Sequence, residues 1–206
     1  MVRTLLGKKI GMTRLFLEEG VSTPVTIVQA GPQVVVQKKS QAKDGYEALQ
    51  VGFELQKKQR TIKPLRGHFQ AAGDNCYRYL REIRVERSDE FEVGQEIRAD
   101  VIRVGDTVNV TGRSKGRGFS GVIKRWGFSG GKETHGCRSH RVPGSIGASA
   151  TPGRVFKGKK LPGRMGYQKT TIKNLKVIDV RPDEGLIAIK GSIPGSRDSL
   201  VEITKG

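Results

Sequence analysis

Thr107-Val108-Asn109-Val110-Thr111-Gly112-Arg113-Ser114-Lys115-Gly116-Arg117-Gly118-Phe119-Ser120-Gly121 decides how this chain is organised, because a strand pattern stops in the middle of it. Up to Val110, apolar β-branched residues alternate with polar ones, as on a half-buried strand. From Gly112 onward, glycines and cations replace them. Residues 112–166 hold thirteen Lys or Arg and half of the chain's 28 glycines, against one acid, Glu133. That window supplies +12 of a formal net charge of +18, so the rest of the chain reads as an ordinary, mildly basic globular domain. A stretch that repels itself and carries few apolar residues cannot close a core of its own, since ordering a backbone costs about 1–2 kcal/mol per residue. It needs a polyanion to order it.

The flanks of the window read as strands. Residues 23–30, 34–38 and 46–55 are β-branched or alternating, with Leu49, Val51, Phe53 and Leu55 expected on one face of the last. A helix is expected over 64–72, closed by Gly73. Short strands follow around 92–110, with turns at Gly94 and Gly105-Asp106. Inside the window only Val122-Ile123-Lys124-Arg125-Trp126 reads as helix. Strand pattern resumes after Thr170 with 175–180, the turn Pro182-Asp183-Glu184-Gly185, and 186–189, which together make a hairpin. Residues 199–204 supply a closing strand.

Strands on both sides of the window place it as an insertion into one β domain, whose halves need each other to complete a sheet or barrel. The expected fold is therefore mainly β with few short helices: a discontinuous domain of residues 1–111 and 167–206, and an extension of residues 112–166. With no internal structure, such a loop would reach at most about 90 Å.

Concentrated positive charge implies a partner dense in negative charge, and nucleic acid fits better than an anionic membrane because no basic amphipathic helix is visible. Aromatics make up only 6% of the chain, which argues against base stacking as the dominant mode of readout. Cys76 and Cys137 are far apart and form no disulfide framework, so a reducing compartment fits. Arg3, Lys8, Lys9 and Arg14 interrupt each early apolar run before it reaches signal-peptide length, and no later run approaches a membrane span. The expected location is the cytoplasm.

Gly116-Arg117-Gly118-Phe119-Ser120-Gly121 matches the glycine pattern of dinucleotide-binding turns. The context does not match: no carboxylate follows about twenty residues on, no second parallel strand follows, and cations crowd the loop. Glycines that admit backbone amides to phosphates, with Lys115 and Arg117 neutralising them, are the better reading. Lys124-Arg125-Trp126 sets two cations and an indole on a short helix, either against nucleic acid or with Trp126 anchoring the extension on the domain. His135, Cys137 and His140 fall short of a structural zinc set, so no metal is expected and the histidines are read as phosphate or sugar contacts. No catalytic constellation stands out, and neither a cofactor nor a small-molecule substrate is expected. Prolines and glycines on both sides of Ala148-Ser149-Ala150 mark a tight tip rather than a helix.

Several of these runs, taken together, are specific. They include Gly7-Lys8-Lys9-Ile10-Gly11-Met12-Thr13, Pro24-Val25-Thr26, Ala30-Gly31-Pro32, and Lys63-Pro64-Leu65-Arg66-Gly67-His68-Phe69. The Thr111 to Phe119 run quoted above, Lys124-Arg125-Trp126, His135-Gly136, and the runs 143–147 and 151–160 complete them. Along nearly its whole length the chain resembles the bacterial form of the universal large-subunit ribosomal protein L-three family. The resemblance implies a β-barrel on the subunit surface and a looped extension penetrating the large-subunit rRNA toward the peptidyl transferase centre. It also implies a structural constituent of the ribosome, with primary binding near the 3′ end of 23S-type rRNA, a part in nucleating 50S assembly, and neighbouring large-subunit proteins as further partners. The tip nearest that centre would comprise Gly144, Ser145, Ile146, Gly147, Ala148, Ser149, Ala150, Thr151, Pro152 and Gly153. Some bacterial members carry a methylated glutamine just before the Thr-Pro-Gly of the tip. Ala150 stands there in this chain, so that modification is expected to be absent.

The residues expected to contact rRNA are Arg113, Lys115, Arg117, Lys124, Arg125, Trp126, Arg138, His140, Arg141, Arg154, Lys157, Lys159, Lys160 and Arg164. Two rival readings are a basic protein that compacts nucleic acid without specificity and an enzyme binding a nucleotide at residues 116–121.

Overall fold

The computed structural model describes residues 2–16 and 20–206. In chain order its elements are β1 (Thr4–Phe16), β2 (Ser22–Gln29), β3 (Gln33–Lys39), the single turn α1 (Gln41–Asp44), β4 (Ala48–Gln56), α2 (Lys63–Gln70) and β5 (Cys76–Arg84). They continue with β6 (Glu96–Ile97), β7 (Thr107–Arg113), β8 (Phe119–Ser120), α3 (Val122–Trp126) and β9 (Gly163–Arg164). Last come β10 (Lys169–Arg181), β11 (Leu186–Lys190) and β12 (Leu200–Lys205). Six strands close a barrel in the order β1-β12-β7-β10-β11-β2, a second sheet runs β5-β4-β3-β6, and β8 pairs with β9 alone. The mainly β class, the barrel and the short helices are those expected from the sequence. Two compact units result: a body of residues 1–113 and 169–206, and Ser114–Gln168.

In the body, Leu5, Leu6, Val28, Val108, Val110, Ile187, Ile189, Val201 and Ile203 fill the barrel and run into one core with Val35, Leu49, Val51, Phe53 and Ile97 of the second sheet. The opposite face of that sheet is also covered: Val34 and Val36 pack with Tyr77, Cys76 and Phe69, the buried residue of α2. Burial on both faces explains why β4 needs Gly52, where a Cβ would lie 2.5 Å from Cγ and Cδ2 of Tyr77.

Leu55 does not share the buried face of Leu49, Val51 and Phe53; it is 69% exposed. The alternation breaks at Glu54, which takes φ 60 and accepts Lys8 Nζ at 3.0 Å and Arg78 Nη1 at 3.5 Å. The hydrogen bond to Glu54 also raises the pKa of Lys8 above that of an ordinary lysine.

β1 is thirteen residues long, although its cations break every apolar run. Lys9 is only 8% exposed because Nζ donates to the carbonyls of Ile193 and Gly195 at 2.9 and 3.3 Å, which satisfies a charge that would otherwise be costly to bury. The other early cations lie on the exposed or half-buried face.

β7 and β10 carry the chain out of the barrel and back. They pair through Arg113↔Lys169, with Thr111 and Thr171 joined across the ladder at 2.8 Å. A bulge between Ile172 and Leu175 is accommodated by Asn174 at φ 57, whose N–H donates to Asn109 Oδ1 at 3.0 Å. The far end of β7 is tied by Asp106, whose Oδ2 accepts from Lys205 at 2.7 Å and from the Arg103 N–H at 2.9 Å.

Two outcomes are expected. Gly52→Ala overpacks the root of the Tyr77 ring and lowers the urea midpoint by the equivalent of about 1–3 kcal/mol, with the m-value unchanged. The Lys205 ammonium, and then the Arg103 N–H, hold the Asp106 carboxyl below its ordinary 3.8. Its contribution is complete above that value and is lost as pH falls through the depressed folded pKa. Urea midpoints of the wild type and Asp106→Asn should therefore converge as pH drops below 3.8, whereas parallel curves would show the pair to be idle.

Candidate nucleic-acid interface

Ser114–Gln168 begins and ends as a ribbon. The Ser114 N–H donates to the Gln168 carbonyl at 2.9 Å, Arg117 N–H to Met165 O at 2.9 Å, and Met165 N–H to Gly118 O at 2.9 Å. β8 and β9 then pair through Phe119↔Arg164 and Ser120↔Gly163. At Gly166, with φ 75, a Cβ would collide with the Lys115 carbonyl, so glycine is what lets these limbs meet.

Beyond the ribbon, α3 forms as its residues suggested, ended by Gly127 at φ 74 and seated by buried Val122. Its last two side chains converge on one atom. Trp126 Nε1 and Arg125 Nη1 each donate to the Leu161 carbonyl at 2.9 Å, and the Arg125 guanidinium lies 4.9 Å from the indole centroid. Gly163 leaves the room for this, since a Cβ there would sit 2.5 Å from Arg125 Nη1. Trp126 thus anchors the outgoing limb of the extension to its returning limb. The sequence offered Trp126 either to nucleic acid or as an anchor of the extension on the domain; its indole bond is instead to Leu161, within the extension itself.

A second pairing follows. The Gly131 N–H donates to the His140 carbonyl at 2.9 Å, and His140 Nδ1, which must carry the hydrogen, donates to Lys132 O at 2.9 Å. These contacts commit one side of the His140 ring and leave Nε2 for an external partner. Among the described residues, no group of three His, Cys, Asp or Glu could hold a metal. Both cysteines are free thiols.

The tip, residues 144–153, is neither helix nor strand and is exposed throughout. Ser145 Oγ donates to the Gly147 carbonyl at 3.1 Å, the Gly153 N–H to Ser149 O at 3.3 Å, and the Thr151-Pro152 bond is cis. Ile146, Ala148, Ser149, Arg154 and Val155 line a shallow cleft of about 480 Å³.

The cations spread along this unit rather than meeting in one pocket. Lys115, Arg117, Lys124, Arg138, Arg141, Arg154, Lys157, Lys159, Lys160 and Arg164 are exposed, and Arg113 is exposed on the body. Among the described residues, none of those ten has a carboxylate partner. Arg154 lies 5.8 Å from the Phe156 ring centroid and Arg164 5.1 Å from that of Tyr167. Arg125 differs from the rest: it is half-buried and already bonded.

The glycine motif at 116–121 sits in an antiparallel two-stranded ribbon before a five-residue helix, and among the described residues no parallel strand lies beside it. That is not the strand-turn-helix geometry of a pyrophosphate site. A cavity of about 930 Å³ on the body is lined by Arg3, Glu90, Phe91, Ile97, Arg98, Asp100 and their neighbours, none of them Ser, Thr, Cys or His. Its polar lining is largely charged, with Arg3, Glu90, Glu96, Arg98, Asp100, Arg103 and Lys205.

A basic run outside the window is also exposed. Lys57, Lys58, Arg60, Lys63 and Arg66 cluster around the turn before α2, and of these only Lys58 is ion-paired among the described residues, with Asp74 at 3.1 Å. The sequence signal was the absence of acid from Leu55 to Gly73, which is masked when charge is summed over the whole domain.

The family model described as Ribosomal protein L3 matches residues 82–185. The chain is 55% identical over 205 residues to the Large ribosomal subunit protein uL3 of Desulforapulum autotrophicum, covering 100% of this chain and 99% of that one. The protein of the same name from Carboxydothermus hydrogenoformans is 55% identical over 203 residues, covering 98% and 97%. That from Syntrophotalea carbinolica is 52% identical over 206 residues, covering 100% and 98%.

If the bonds to Leu161 hold the two limbs together, Trp126→Phe removes one donor and keeps most of the packing. Exchange of the Met165 amide, which bonds Gly118 across the ribbon, should quicken about two- to tenfold, in line with one lost hydrogen bond. Unchanged exchange would mean that the indole bond holds nothing.

Proposed function

Because the chain belongs to the uL3 family of large-subunit ribosomal proteins, we propose that its basic, glycine-rich segment, residues 112–166, is the rRNA-penetrating element of a structural ribosomal protein and that the barrel anchors it. As a member of that family, the protein is a component of the large subunit that binds rRNA and serves translation. Its place is on the ribosome, in the cytoplasm. No helix among the described residues is long and apolar enough to cross a membrane.

The observation that carries the proposal is a hydrogen-bonded unit whose cations, apart from half-buried Arg125, are exposed and, among the described residues, without carboxylate partners, with Glu133 as the only acid in the window. Within a ribosome, the polyanion that would satisfy them is rRNA. Phosphates replace condensed counterions around the cations, and the glycine-paired limbs keep the ribbon thin enough to pass between RNA helices. Binding occurs near the 3′ end of the 23S-type molecule and helps nucleate 50S assembly. Residues 144–153 point their small, exposed side chains toward the peptidyl transferase centre. Arg113, Lys115, Arg117, Lys124, Arg138, His140, Arg141, Arg154, Lys157, Lys159, Lys160 and Arg164 meet phosphate or sugar, whereas Arg125 and Trp126 hold the extension in shape beside the RNA. The exposed run at Lys57, Arg60 and Lys63 gives the body its own contact.

Filter binding of the full chain to large-subunit rRNA across a salt series tests this. The logarithm of the affinity should fall steeply and linearly with that of salt concentration. Replacing Lys157, Lys159 and Lys160 together by Gln should reduce the slope by about 3, one for each phosphate contact removed. Equal displacement of rRNA by random duplex DNA would instead make the protein a non-specific compacting agent.

A further inference from the structure

Phe119 is 80% exposed, more than any other large hydrophobic residue described, although it lies on a paired strand. A two-stranded ribbon has no layer behind it to bury the ring. Directly opposed residues on an antiparallel pair share a face, and the residue opposite Phe119 is Arg164. The Arg164 guanidinium in turn lies 5.1 Å from the ring centroid of Tyr167, itself 51% exposed. Tyr167 holds φ 56, a conformation that a tyrosine rarely adopts, and sits beside Gly116, where a side chain would come within 3.8 Å of its Cβ. Two exposed rings and a guanidinium thus form one patch, with Lys115 and Arg117 on the adjoining limb.

We propose that Phe119, Arg164 and Tyr167 form a stacking platform for an unpaired base of large-subunit rRNA. The proposal rests on the rRNA-binding reading above and gives it a chemical partner at one place. A base in a duplex already has both faces stacked, whereas an unpaired base offers a free π-face to a phenyl ring or a guanidinium plane. The charge beside the rings selects the occupant: Lys115 and Arg117 suit the phosphates flanking such a base and would repel a basic neighbouring protein. Aromatic residues are few in this chain, so stacking does not dominate its affinity. It fixes position where charge alone would let the backbone slide.

The test uses the full chain and large-subunit rRNA, with Phe119→Leu, Phe119→Tyr and Tyr167→Leu, each shown by its urea midpoint to be folded. Phe119→Leu should weaken binding about 5- to 150-fold, the range for one stacked base, and Phe119→Tyr should restore it. The salt slope should stay unchanged, because stacking releases no counterions. Ultraviolet irradiation of the wild-type complex should join the tryptic peptide of residues 118–124 to an unpaired nucleotide. Wild-type affinity in both leucine variants, a reduced salt slope in Phe119→Leu, or a crosslink to a base-paired nucleotide would each overturn the platform. Failure of the wild type to bind rRNA at all would overturn the wider reading instead.

Discussion

Thr111 and Thr171 face each other across the β7–β10 ladder with their hydroxyls 2.8 Å apart, and two residues further on Arg113 and Lys169 pair before the chain leaves the barrel. The rest of the molecule depends on that pairing. β7 lies between β12 and β10, so the ladder that closes the barrel also holds the two ends of Ser114–Gln168 one strand spacing apart, about 4.8 Å. Bringing together the ends of a free loop of that length costs entropy that grows with the logarithm of its length. Here the closure follows from folding the body, whose apolar core offsets it. The ribbon from Ser114 through β8 and β9 then propagates from a preformed start.

Inside the extension, the balance of forces is inverted relative to the body. Few buried apolar side chains are available, with Val122 as the clearest case, and cations repel one another along its length. Backbone carbonyls do the work instead. Leu161 O accepts from both Trp126 and Arg125, Lys132 O accepts from His140, and Gly131 pairs with His140 through the main chain. Each such bond is worth about 0.5–1.5 kcal/mol net, which fixes local geometry without approaching the stability of a packed core. The glycines serve this economy. Gly131 and Gly166 are pressed against neighbouring carbonyls, and Gly163 lies beneath a guanidinium, so part of the glycine content read as an adaptation to phosphate is first an adaptation to the protein's own close approaches.

This difference explains what was legible in the sequence. Where apolar residues decide the structure, period and turn chemistry sufficed: the β10–β11 hairpin around Pro182 to Gly185, β2, β3 and α3 lie where the residues place them. β1 was hidden because Lys8, Lys9 and Arg14 break its apolar run. No local pattern shows that two carbonyls from the loop before β12 will satisfy Lys9. Leu55 was misplaced because Glu54 takes a left-handed conformation inside β4, where its carboxylate meets Lys8, distant in sequence. β5 drew no reading from the sequence: its charged residues conceal Cys76, Tyr77 and Ile83, which are buried against different layers. In the candidate interface, charge and glycine content marked the right segment, yet residue type could not separate Arg125, already bonded, from Arg117 or Arg138, which are exposed.

Charge and shape thus fall to different residues along the extension. Exposed lysines and arginines without acidic partners are suited to a field, which is long-ranged, indifferent to sequence and weakened by salt. A field attracts RNA but cannot say which nucleotide lies where, because every phosphate is alike. Position has to come from short-ranged groups held on ordered backbone. On the proposed reading the molecule supplies them on the β8–β9 ribbon, where Phe119 opposes Arg164. An extension built only of cations would bind less tightly and in no particular register. Phe119 and Tyr167, exposed where a folded domain would bury such rings, are what would convert attraction into placement.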